Sequence, residues 1–192
     1  MRIGVLASGE GTNLQAILDR LHGSAGVTVV AVASDKPHAR ALERARAAGV
    51  PARAFEQADR SARDAAIADW LEHAGVELVV LAGYMRLLDP AFLARFPQRV
   101  INVHPALLPA FPGIRAVEQA VAHGVKVFGV TVHFVDEGID TGPIIAQRAL
   151  ELPGAADAEA VRAALRPLEH DLLCEIVLQI ARGKVPPDDP AG

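Results

Sequence analysis

Apolar runs of strand length alternate along this chain with longer stretches in which apolar positions recur at helical period. RIGVLA (2–7), VTVVAVAS (27–34) and ELVVLAG (77–83) are nearly continuous apolar runs, the pattern of strands buried on both faces of a sheet. NLQAILDRL, ALERARAAG and the segment from Ser61 to His73 read as helices between them. A short strand near Ala52, a helix near 91–96, the strand RVINVHP and a helix near 116–123 continue the alternation. KVFGVTVHFV and PIIAQRALEL then complete the sheet, and a final helix follows Asp157. Such alternation predicts an α/β fold, a parallel sheet covered by helices. Pro167 interrupts the last helical pattern, so a kink or break is expected there.

A length of 192 residues fits one domain, taken here as 1–192 with a proline-rich, acidic and flexible tail over about 184–192. Hydrophobic residues make up 51% and charged residues 22%, which is ordinary for a folded protein. The net charge of −4 offers no basic footprint for nucleic acid, and there is no polybasic or membrane-spanning run. Small-molecule partners are expected, with the chain a monomer or homodimer. Cys174 is the only cysteine, so no intrachain disulfide forms and a reducing, cytoplasmic setting fits.

In an open α/β sheet, ligands bind beyond the carboxyl ends of the strands, and three segments collect there. SGEGTNLQA (8–16) brings glycines, Thr12 and Asn13 to the start of a helix, which suits either a phosphate site or an ordinary turn with an N-cap. It is neither GxGxxG nor a P-loop, though Asp35 after the second strand keeps a dinucleotide site open. AGYMRLL (82–88) sets Met85, Leu87 and Leu88 around Arg86, a lining for a flat ligand bearing carboxylates or simply core with a solvated arginine. INVHPALLP (101–109) places Asn102 and His104 on one face of a strand end, where Asn can stabilise an oxyanion and His can move protons. Thr131 and His133 share one face of a later strand, and the loop DEGIDTGP carries Asp140, either a turn carboxylate or a partner that would favour the protonated form of His104. A metal site from His104, His133 and Asp136 or Asp140 lacks any recognised ligand spacing and is not expected. Cys174 reads as core, and His38, His73, His123 and His170 as surface or helix-end residues.

In order along the chain, SGEGTNLQA, LAGYMRLL, INVHPALLP, GVTVHFVDEGIDTGPII and LEH resemble the glycinamide ribonucleotide formyltransferases of purine biosynthesis. The resemblance spans essentially the whole chain and implies a Rossmann-like formyltransferase fold, an α/β, mostly parallel twisted sheet with helices on both faces. It also implies formyl transfer from 10-formyltetrahydrofolate, a cosubstrate rather than a bound cofactor, to phosphoribosylglycinamide, without a metal. It implies Asn102, His104 and Asp140 as the catalytic trio, and Gly11, Thr12, Asn13 and Glu169 as ribonucleotide contacts. The folate would meet Met85, Arg86, Leu87, Leu88, Asn102, Asp136, Glu137, Gly138 and Asp140, with Arg63, or alternatively Arg60, approaching from the preceding helix. Ala106 stands where many relatives have Ser, and Arg166 where a glutamine is common, with Pro167 beside it. Formyltetrahydrofolate deformylase is the nearest rival, and a non-catalytic nucleotide-binding module is the rival of another class.

Overall fold

The computed structural model describes residues 1–185, so the tail expectation lies almost wholly outside the described residues. Seven strands form one sheet in the order β3-β2-β1-β4-β5-β6-β7. They are β1 (Arg2–Leu6), β2 (Thr28–Ser34), β3 (Ala52–Ala54), β4 (Leu78–Leu81), β5 (Val100–His104), β6 (Val127–Phe134) and β7 (Ile144–Glu151). Pairings among β1 to β5 are parallel, whereas β6 and β7 are antiparallel additions. The helices are α1 (Thr12–Arg20), α2 (Arg40–Ala47), α3 (Arg60–His73), α4 (Pro90–Arg95), α5 (Ala116–His123) and α6 (Ala158–Ala181).

Strand side chains alternate between two cores, which is why each run must be apolar throughout. Val5, Val80, Ile101 and Val132 join Leu14, Ile17, Leu165 and Leu173 on one face. Leu6, Val79 and Val100 join Ile67, Leu71 and Phe92 on the other. The chain winds outward from β1 to β3 and returns beside β1 as β4, so the carboxyl ends of β1 and β4 border a crevice at the point of reversal.

One expectation changes: the last helix is not broken at Pro167. α6 runs unbroken through Pro167, from an N-cap at Asp157 whose carboxylate accepts from the backbone N–H groups of Glu159 and Ala160. Pro167 is exposed, so its unpaired turn faces water, while Val161, Leu165, Leu172, Leu173, Ile176 and Val177 hold the buried stripe against the sheet. The final antiparallel pair also has a tight packing requirement. A Cβ on Gly129 would lie 2.4 Å from both the Arg148 carbonyl and Leu107, so only glycine lets β6 approach β7 and the segment after β5 this closely.

Candidate active site

The antiparallel register of β5 and β6 sets Asn102 opposite His133 and His104 opposite Thr131. All four therefore project from one face at the carboxyl end of β5. Thr131 is structural: its hydroxyl donates to the Ala106 carbonyl (2.7 Å) and accepts from Leu108 N–H (3.1 Å) and Gln147 (2.9 Å), anchoring the turn after β5.

Asp140 gathers the other three. Its Oδ2 lies 3.3 Å from His104 Nδ1 and accepts from Gly113 N–H at 2.7 Å. Its Oδ1 lies 3.3 Å from Asn102 Nδ2 and 3.5 Å from His133 Nε2. Burial opposes the charge on Asp140, yet its neighbours His133, the Gly113 N–H and His104 outweigh it and hold the carboxyl down to about 2. His104 is 4% exposed, and its Nε2–H donates to the Phe111 carbonyl at 2.8 Å, so both of its ring nitrogens face acceptors.

This group lies in the wall of a cavity of about 430 Å³, lined also by Gly83 to Leu88 and by the acidic loop 136–140. Met85 (60% exposed) and Leu87 present apolar surface to it, whereas Leu88 is buried. Asp136 lines the cavity with its carboxylate already engaged by Gly138 N–H (3.0 Å) and the Thr141 hydroxyl (2.8 Å). Arg86 lines it too and donates to Asp35 at 2.9 Å. Asp35 lines neither described cavity, so the dinucleotide reading loses its ribose-binding carboxylate. Burial opposes its charge, but hydrogen bonds from Ser8 and Arg86 lower its pKa.

Arg63 needs correction as a ligand contact. It is 5% exposed, paired with the fully buried Asp64 at 2.9 Å, and absent from the cavity wall. Arg60, one turn earlier, donates instead to the carbonyl of Leu88, which borders the cavity. Sequence reasoning missed Gly113, Ile114 and Arg115, which also line the cavity. The signal for Gly113 was FPG, a turn that follows closely on the histidine strand.

A second cavity, of about 410 Å³, adjoins the first, sharing Gly83, Met85 and Pro105 with it. Its floor is the segment from Ser8 to Asn13, and its rim carries Lys36, Arg162, Arg166 and Glu169. Gly11 adopts φ 70 at the start of α1, and a Cβ there would lie 2.7 Å from Ala41 Cα. α1 has no side-chain cap, so its first backbone donors remain open to an anion, with three cations on the cavity rim. Asn13 donates to Glu169 at 3.0 Å while its own Oδ1 is buried without a partner. Burial pushes the Glu169 carboxyl up, against Asn13 and the charge of Arg166. Among the described residues, no group of three His, Cys, Asp or Glu is arranged to hold a metal ion, and no helix is long and apolar enough to cross a membrane.

The formyl transferase family model matches residues 1–177. The chain belongs to the formyl transferase family. Within it, the phosphoribosylglycinamide formyltransferase of Bacillus subtilis (strain 168) is 44% identical over 93% of this chain and 94% of its own. The enzyme of the same name from Escherichia coli (strain K12) is 37% identical over 96% of this chain and 89% of its own. The crystal structure of glycinamide ribonucleotide transformylase 1 from Symbiobacterium toebii superposes with a TM-score of 0.92 at 49% identity, covering 95% of this chain and 88% of that one. The formyl transferase fold and the Rossmann-like sheet expected above are the same arrangement.

Proposed function

We propose that the chain is a phosphoribosylglycinamide formyltransferase, moving the formyl group of 10-formyltetrahydrofolate to the amine of 5'-phosphoribosylglycinamide in purine biosynthesis. The observation that carries this reading is the junction of two unlike cavities, one apolar and one rimmed by cations, at Pro105, directly after His104. The flat aromatic rings of a folate fit the first, along Met85, Leu87 and the loop that contains Glu137 and Gly138. The phosphate of the acceptor fits the second, on the backbone of Gly11, Thr12 and Asn13, with Glu169 receiving hydroxyl or amide donors. Arg60 replaces Arg63 as the arginine on the folate side.

The acceptor amine attacks the formyl carbon where the cavities meet. Negative charge develops on the formyl oxygen, and the N–H donors of Asn102 and of His104, which exchanges its Phe111 carbonyl for the substrate while Asp140 holds the ring, lower its energy. The proton lost by the amine reaches the folate nitrogen as its bond to carbon breaks, with His104 as the shuttle. Holding two substrates in one geometry contributes on the order of several kcal/mol more. No covalent intermediate with the enzyme forms.

The test is absorbance of the folate product formed from 10-formyltetrahydrofolate with and without the ribonucleotide. Product that requires the ribonucleotide is expected. Equal rates without it would identify a deformylase, and no turnover beside an active control enzyme would reduce the chain to a binding module.

A further inference from the structure

His133 has no assigned part in the mechanism above, although it is only 2% exposed and touches two of the three catalytic residues. Its Nδ1 lies 2.7 Å from the carbonyl of Phe134, an atom that only accepts, so Nδ1 carries the hydrogen. Its Nε2 lies 3.2 Å from Asn102 Nδ2. An amide NH2 only donates, and that contact is attractive only when Nε2 presents its lone pair. A second ring proton would set two donors against each other and leave two buried cations around the one carboxylate of Asp140. Asn102 has a single bond between its amide and its Cβ that would otherwise leave the carboxamide free to turn over.

We propose that His133 is a positioning residue that fixes which end of the Asn102 amide meets the substrate. Held as the neutral Nδ1–H tautomer by the Phe134 carbonyl, it accepts one hydrogen of the Asn102 NH2. The second hydrogen is thereby aimed toward Asp140 Oδ1, which at 3.3 Å is a long and exchangeable partner. A formyl oxygen gaining charge beside Asp140 takes that hydrogen over. Without His133 the amide can present its carbonyl instead, which repels the developing charge. The proposal rests on the oxyanion role given to Asn102 above, but its structural half is independent of any activity.

Long-range proton–nitrogen correlation spectra of the nitrogen-labelled protein at neutral pH, with His133 assigned by its absence in His133→Gln, read the tautomer directly. A protonated Nδ1 with an unprotonated Nε2 is expected. A protonated Nε2 overturns the proposal even if the enzyme is fully active. In kinetics, His133→Leu should lower kcat on the order of ten- to a hundredfold, with KM for both substrates unchanged. His133→Gln, whose side-chain oxygen can occupy the Nε2 position, should recover most of that loss. In an Asn102→Ala background, His133→Leu should cost nothing further, because it acts only through Asn102. An equal loss in both backgrounds would show a general structural role and overturn the proposal. Loss of the ribonucleotide-dependent reaction in the unmodified protein, with the expected tautomer present, would instead overturn the functional reading.

Discussion

His104 is held between the Phe111 carbonyl and Asp140, so truncating its side chain removes the proton carrier proposed above without touching the cation-rimmed cavity. His104→Ala should lower kcat about 10²- to 10⁴-fold while calorimetric titration still shows ribonucleotide binding at near-normal affinity. Gly11→Ala acts at the other end of the site. Its positive φ and the 2.7 Å approach to Ala41 force α1 to shift, so KM for the ribonucleotide should rise more than kcat falls. Asp140 links the site to stability. Its folded pKa of about 2 lies below the ordinary carboxyl value, so it contributes stability that is fully present above about pH 4 and lost as pH falls through about 2. The contribution is about 2 kcal/mol, and in urea titrations from pH 5 to 2 the gap between the native protein and Asp140→Asn should close. At this scale, Asn102 and His104 were legible in the sequence because two polar groups in a doubly buried strand require a use. Arg63 was misassigned because Arg60 and Arg63 are one turn apart, and only packing decides which is buried against Asp64.

The elements were set by periodicity, and α6 is the exception. A proline in a helix interior removes one backbone hydrogen bond and strains the preceding turn, which reads as a stop in any local window. Here buried apolar residues on both sides of Pro167, Val161 and Leu165 before it and Leu172, Leu173, Ile176 and Val177 after it, hold the helix to the sheet, and the cost is absorbed on the exposed face. Pro167→Ala should therefore stabilise the protein by about 1–3 kcal/mol, seen as a higher urea midpoint at an unchanged slope. β6 and β7 were legible as strands, but their direction was not. Antiparallel pairing of β6 with β5 is what brings His133 opposite Asn102, and that contact spans two strands separated by α5.

For the molecule as a whole, the two cavities share one boundary, at Gly83, Met85 and Pro105. A single ligand carrying a phosphate-bearing ribose analogue joined to a folate-like ring should bind at least a hundredfold more tightly than either half, by calorimetry, provided that the linker follows the Met85–Pro105 boundary. Equal affinity for the joined ligand and its better half would show that the cavities are not occupied together. The sequence by itself determined the layered α/β architecture, because strands buried on both faces must be apolar throughout and helices over a sheet must be apolar on one stripe. It also determined which loops gather polar groups at the carboxyl ends of the strands, because glycines, Asn102, His104 and Asp140 stand there. Only the tertiary structure decided that Asp140 reaches His104 across 36 residues of chain (140 − 104), that Gly113 holds that carboxylate, and that His133 turns toward Asn102. These contacts depend on strand direction, register and the path of the turn after β5, all set by long-range packing to which a local window of sequence is blind.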